Sequence, residues 1–487
     1  MRVILFSWLV VLLIACSTTP PSPEPGGRPP NLLFLLADQW RGQALGFVGQ
    51  EKVMTPHLDA MAREGLVLTE AVSNYPVCSP YRAMLMSGQY PFANGVYSNC
   101  NSKTTEYGCE LQQATTCWSD VLASRGYQMG YIGKWHLESP RPPFVESYNN
   151  SPDFAWNEWT PPDRRHGFAF WHAYNTFDRH LAPEYWETDM TRDQRLKVDR
   201  WGPEHEADVA IEFLQRNRES PFALMVSINP PHMPYGQVPQ RYIDRYKDIP
   251  NSELLDGRPD LKGANTRMGR YTRRNLRLQY AMMTGVDEQI GRILQALDEL
   301  GLAENTIVVF TSDHGDCIGL QGQISKNNSY ELSMRVPLLV RWKGTLAARR
   351  DDLLLSVPDL YPTLLHLMGA GADVPAEVQG VNYAELLRTG EGDRPTAQLY
   401  MKCPQGSIEL GKRGVRTHRY TLVIDRQPGK EETVLLRDRE QDPFQMKDYA
   451  AEQPQLVQEL RREQLEPLLQ RVGDPWLDLQ ASEARRP

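Results

Sequence analysis

Residues 31–40 read NLLFLLADQW. The apolar run is short, unbroken by polar alternation, and ends abruptly at Asp38 and Gln39. Such a run suits a strand covered on both faces, as in a parallel sheet flanked by helices. Working outward, the pattern recurs in MGYIG at 129–133, FALMVSIN at 222–229 and TIVVFTSD at 306–313. Between these runs lie amphipathic helical patterns: HLDAMAREG (57–65), WSDVLASRG (118–126), EADVAIEFLQRN (206–217) and LQYAMMTGVDEQIGRILQALDELG (278–301). Three of the four close on glycine, a helix stop. Strands alternating with helices predict an α/β fold with a doubly wound, mostly parallel sheet.

Each strand runs into polar residues at its C-terminal end: Asp38 and Gln39, Lys134 and His136 in GKWH, His232 in NPPHMP, Asp313 and His314 in SDHGD. A single Asp there is ordinarily a turn or helix cap, and a single His a satisfied polar group. Four such ends in one topological position point instead to one site, because open α/β sheets bind ligands outside the carboxyl ends of their strands. Asp38, Asp313, His314 and the amide oxygen of Gln39 make a mostly oxygen donor set, which suits Ca²⁺ or Mg²⁺ better than Zn²⁺.

The 487 residues, 41% hydrophobic, provide for a large core. A net charge of -8 with dispersed Lys and Arg excludes a nucleic-acid footprint. In CSPYRAMLMSG (78–88), Pro80 suits a first helical turn and Gly88 a stop, so a short helix is predicted over 81–87 with Cys78 just before it. The partial positive charge of that helix end, with Arg82 one turn in, favours an anion. Cys78 is then a packed residue or an activated thiolate.

CSPYR followed by Leu85-Met86-Ser87-Gly88 resembles the signature of type I sulfatases, and ADQWR, TPHLDAMAREG, GKWHLE, NPPHMPY, TSDHGD, SYELSMRVPLLVRWKG and LLRDREQDPFQMKDYA follow in that family's order. The resemblance covers residue 31 to about Trp476. It implies an alkaline phosphatase-like fold and conversion of Cys78 to formylglycine by a formylglycine-generating enzyme. One hydroxyl of the hydrated aldehyde would attack sulfur, and the other, once deprotonated, would expel sulfate and regenerate the aldehyde. By position, the resemblance implies that Asp38, Gln39, Asp313, His314 and modified Cys78 hold the metal, with Arg82 supporting them. Lys134 and Lys326 would contact sulfate oxygens, His136 would assist the elimination, and His232 would serve the departing oxygen. Many members carry Asp where Gln39 stands. Relatives with the same nucleophile and metal set hydrolyse phosphodiesters or phosphonate monoesters, so that activity is an alternative. A surface glycan-binding lipoprotein with a vestigial site is another.

The first sixteen residues, MRVILFSWLVVLLIAC, form a short apolar segment whose end resembles a bacterial lipobox. The resemblance implies that Cys16 is acylated, that residues 17–30 are a Pro-rich tether, and that the protein is anchored in the cell envelope, with Ser17 matching outer-membrane sorting. In that oxidising compartment a disulfide among Cys100, Cys109 and Cys117 is expected, its pairing open. Cys317 and Cys403 are expected to be small buried residues. The catalytic domain is expected over 31–385, and a small α+β subdomain with an antiparallel sheet over 386–487, ending in a helix over 454–472. Aromatic residues crowd 140–202, either to stack a sugar ring or to pack an insertion. With the envelope anchor, they favour a sulfated glycan as substrate.

Overall fold

The computed structural model describes residues 28–404 and 407–477. The signal segment, Cys16 and the tether as far as residue 27 lie outside the described residues. The main sheet has ten strands: β1 (Asn31–Ala37), β2 (Leu66–Leu68), β3 (Gln128–Lys134), β4 (Phe170–Tyr174), β5 (Glu184–Glu187), β6 (Leu196–Lys197), β7 (Phe222–Ile228), β8 (Thr306–Ser312), β9 (Leu338–Arg341) and β10 (Arg349–Asp351). Their order is β10-β2-β9-β8-β1-β7-β3-β4-β5-β6. The central β8-β1-β7-β3-β4 block is parallel, and antiparallel pairs flank it on both sides. Alternate side chains of β1 enter different layers. Leu32, Phe34 and Leu36 join one apolar cluster, and Leu33, Leu35 and Ala37 join the other. That two-sided burial is why the strand reads as a continuous apolar run.

Register aligns the strand ends. Ala37 pairs with both Ile228 and Ser312, and Gly133 pairs with Ser227. Asp38, Asn229 and Asp313 therefore leave the sheet at one level, one residue beyond Lys134, the last residue of β3. The helix Arg267–Glu299 begins well before the expected 278, with the Thr266 hydroxyl accepting from the Gly269 amide at 3.0 Å. Its first turns are rich in arginine, which hides the helical period.

The second sheet comprises β11 (Gln398–Lys402), β12 (Gly411–Arg416), β13 (Tyr420–Arg426) and β14 (Thr433–Asp438), antiparallel in chain order. The expected terminal helix is present, interrupted by a π turn at Arg461–Leu465. One apolar cluster runs from Leu85 and Leu122 through Leu399, Leu422 and Trp476, joining the small sheet to the main layer. The segment 140–202 is largely packed. It supplies β4, β5 and β6, and buries Trp171, Tyr174, Tyr185 and Trp186. The expected disulfide is absent: Cys100, Cys109 and Cys117 are free and buried, and the Cys100 and Cys109 thiols hydrogen-bond to each other. Cys317 and Cys403 are buried. Among the described residues no helix is long and apolar enough to cross a membrane.

Candidate active site

The helix carrying Cys78 starts at Cys78 itself, with Val77 as its extended N-cap, and spans Cys78–Ser87. The expectation placed Cys78 outside and the helix from residue 81. Pro80 nevertheless sits within the first turn, where its missing N–H is unneeded. All ten residues of this helix are buried, and the Gly88 amide donates to Met84 O at 2.9 Å in a left-handed stop.

The buried guanidinium of Arg82 holds the centre together. Its Nη2 lies 3.1 Å from Asp38 Oδ2, and its Nε donates to Asp313 Oδ2 at 3.2 Å. Nη1 donates to Lys134 O and to Ser227 Oγ, each at 2.7 Å. Lys134 Nζ lies 2.7 Å from Asp38 Oδ2 and donates to Asn229 Oδ1 at 3.1 Å. Cys78 Sγ lies 3.2 Å from His314 Nε2, 3.9 Å from Asp38 Oδ1 and 3.9 Å from Lys134 Nζ. The four strand ends and the Cys78 helix thus meet at one buried point.

The donor set fits a divalent cation. Ligand atoms of Asp38, Cys78, Asp313 and His314 lie within 4.8 Å of one another, all buried. Burial and the neighbouring Asp38 charge push the Asp313 carboxyl up to about 7. Burial works on Asp38 in the same direction, but Lys134, His232 and Arg82 hold it well below the usual range. Burial lowers His314 to about 4. Its Nδ1 faces Gly315 O at 2.9 Å, so that nitrogen carries the proton and Nε2 presents a lone pair to the cluster.

Gln39 takes a left-handed φ of 68°. Its amide is oriented from behind: Nε2 donates to Asp316 Oδ2 at 3.0 Å and to Tyr235 Oη at 3.1 Å. Its Oε1 then accepts from Lys326 Nζ at 2.7 Å. Lys326 comes from a loop in which Ser325 and Asn327 also have positive φ.

His136 and His232 flank the cluster differently. Both ring nitrogens of buried His136 lack a partner among the described residues, and burial, followed by Lys134 and Arg82, keeps the ring far below the usual histidine range. Half-buried Trp156 meets the His136 ring edge to face at 5.9 Å. His232 is 14% exposed at its side chain, with Nδ1 2.8 Å from Met233 O and 3.3 Å from Asp178 Oδ1. Asp178, Ser227, Asn229, Asp316 and Tyr235 were not expected. Asn229 was findable, because it directly follows β7 as Asp38 follows β1. Asp316 sat in the quoted SDHGD. Ser227 lies within an apolar strand, and Asp178 lies in the insertion, where sequence offers no signal.

The Sulfatase family model matches residues 30–370, more than half of the chain. The chain belongs to the sulfatase family. The sulfatase's later part matches the N-sulphoglucosamine sulphohydrolase C-terminal family over residues 319–471. It is 38% identical to an endo-4-O-sulfatase of Bacteroides thetaiotaomicron, covering 92% of this chain and 93% of that one. It is 31% identical to an ulvan-active sulfatase of Formosa agariphila, over 89% and 80% of the two chains. The structure of yidJ from Bacteroides fragilis matches this sulfatase with a TM-score of 0.90 at 47% identity, covering 92% of this chain and 97% of that one. The phosphonate monoester hydrolase of Agrobacterium radiobacter shares the fold, with a TM-score of 0.66 at 22% identity over 93% and 96% of the two chains.

Proposed function

We propose that this sulfatase hydrolyses sulfate esters on a glycan chain, with Cys78 converted to formylglycine by a formylglycine-generating enzyme. The observation that carries it is the buried junction of Cys78 with Arg82, Lys134, Asp38, Asp313 and His314. Two relatives over 30% identical, one an endo-4-O-sulfatase and one ulvan-active, support a polymeric sulfated saccharide. Asp38, Gln39, Asp313, His314 and modified Cys78 would hold Ca²⁺ or Mg²⁺. Such a cation, when bound, offsets the paired carboxylates and acidifies an adjacent hydroxyl.

The chain's own groups divide the remaining work. Lys134 and Lys326 neutralise charge on the sulfate oxygens, and Arg82 fixes the carboxylates and the Cys78 helix as a unit. His136, neutral and without a hydrogen-bond partner among the described residues, accepts the proton of the second hydroxyl as the carbon–oxygen bond to sulfate breaks and the aldehyde reforms. His232 has Nδ1 engaged by Met233 O and Asp178, which leaves Nε2 to give a proton to the departing sugar oxygen.

The test compares release of sulfate from a sulfated oligosaccharide with release of phosphate from a matched phosphate ester by one preparation. Sulfate release should dominate, should stop on chelation, and should return with Ca²⁺ or Mg²⁺. Preferential phosphate release would move the enzyme to the phosphoesterase side of the superfamily.

A further inference from the structure

The helix Trp118–Ser124 begins directly after Cys117, and the turn that leads into β4 carries His166. Away from the Cys78 centre, Cys117, Asp120 and His166 bring a thiol sulfur, a carboxylate oxygen and a ring nitrogen within 4.8 Å of one another. Close backbone approach makes this possible: Gly167 has φ 80°, and a Cβ built there would lie 2.9 Å from Ser119 O. Trp135 stacks on the His166 ring at 6.3 Å. Cys117 and His166 are buried, and the Asp120 side chain, 33% exposed, forms a wall open to solvent.

The spacing suits ligands of one ion better than a hydrogen bond. His166 Nδ1 lies 3.3 Å from Asp120 Oδ2, long for a charge-assisted N–H···O bond, which runs about 2.7–2.9 Å. Nitrogen and oxygen ligands each about 2.0–2.1 Å from a tetrahedral Zn²⁺ stand about 3.3 Å apart, and a sulfur about 2.3 Å from the ion stands about 3.5 Å from each. The thiol therefore needs to approach by little more than about 1 Å. His166 Nε2 is buried without a partner among the described residues, so stacking on Trp135 and the group met by Nδ1 fix the ring. Burial, then the Asp120 carboxylate, hold the Cys117 thiol well above its usual range, so it keeps its proton until a cation displaces it. Thiolate, carboxylate and neutral imidazole then balance a divalent ion, and the buried group is neutral as a whole. The adjoining cations are committed elsewhere: Arg164 Nε donates to Glu138 at 2.9 Å, and Arg165 Nε and Nη1 donate to the carbonyls of Thr160 and Thr188 at 3.0 and 2.8 Å.

A thiolate with an imidazole and one carboxylate selects a transition ion over Ca²⁺ or Mg²⁺, the reverse of the mostly oxygen set at the Cys78 centre. We propose that Cys117, Asp120 and His166 form a second metal site, taking Zn²⁺ tetrahedrally with water in the fourth position on the Asp120 side. The thiol proton passes to solvent as the sulfur–zinc bond forms. The ion ties the start of the helix to the turn before β4, against Trp135, which stands between Lys134 and His136 in the chain. Its role is to stiffen this corner of the fold, and it stands whether or not the Cys78 centre hydrolyses sulfate esters.

The experiment titrates the full chain carrying Cys78→Ser with Co²⁺ in excess Ca²⁺, so that the catalytic centre offers cobalt no thiolate. A near-ultraviolet thiolate-to-cobalt charge-transfer band and visible bands of tetrahedral strength should grow to saturation, and Zn²⁺, which binds such sites more tightly, should bleach them. Adding Cys117→Ser should abolish the charge-transfer band, and adding Cys100→Ser should preserve it. Asp120→Asn, at a half-buried position where folding is least disturbed, should weaken cobalt about 100-fold or more and lose the rise in melting temperature that Zn²⁺ gives the parent. Absence of the band, its survival in Cys117→Ser, its loss in Cys100→Ser, or cobalt affinity and Zn²⁺ stabilisation unchanged in Asp120→Asn would each overturn the site.

Discussion

In the proposed mechanism, His232 and Lys326 would separate leaving-group chemistry from sulfate binding. A proton donor matters most when the departing alcohol bears charge poorly, as a sugar hydroxyl does, and least for a nitrophenol. His232→Ala should lower kcat/KM on a sulfated sugar by about 100-fold or more and on nitrophenyl sulfate by less than about tenfold. Lys326→Ala should depress both substrates alike. Equal losses for His232→Ala on the two substrates would return His232 to a binding or orienting role. Behind them, Asp316 orients the amide of Gln39. By accepting from Gln39 Nε2 it leaves Oε1 as the face turned to Lys326.

At the scale of elements, the β3–β7 pair determines where Lys134 stands. Gly133 has φ 93°, and a Cβ built there would lie 2.2 Å from Ser227 O. Gly133→Ala should therefore cost about 3 kcal/mol of stability and, by displacing Lys134 and its carbonyl from Arg82, lower kcat/KM about 100-fold. An unchanged melting temperature with full activity would show that the two strands can part without consequence. The parallel strands β1, β3, β7 and β8 were legible in the sequence because both faces of each are buried and each runs into polar residues; β4, also parallel, was hidden within the aromatic segment. The short flanking strands β5, β6, β9 and β10 were not legible either. Two to four residues carry too little periodicity, and their place is decided by the edge they meet. Cys78 was legible as the start of a helix, within one turn of its true boundary. The aromatic segment was legible as exceptional, but packing and sugar stacking use the same side chains. Trp156 against His136 becomes distinct from the buried Trp171 only once the fold is formed.

Across the whole molecule, charge burial makes stability depend on pH. Burial pushes the Glu206 carboxyl up to about 8, against the hydrogen bonds of Tyr185, whose Oη donates to Oε1 at 3.0 Å, and Tyr174. A folded-state value above the unfolded one means that the folded chain retains a proton the unfolded chain releases. The resulting stabilisation is complete below about 4.5 and declines as pH rises toward about 8. Glu206→Gln should thus raise the melting temperature by a margin that widens from pH 5 to pH 8 and then levels. A margin constant with pH would place the folded carboxyl in its ordinary range. Envelope attachment is a separate proposal resting on Cys16 alone. Cys16→Ser should release the protein from membranes and abolish acyl labelling, and unchanged membrane retention would contradict the anchor. The chemistry itself converges on one side chain. The most direct measurement is mass spectrometry of the peptide spanning Asn74 to Arg82 from an active preparation of the native host's enzyme. Formylglycine at position 78, in proportion to activity across preparations, is the predicted result; unmodified Cys78 in a fully active preparation would contradict the mechanism.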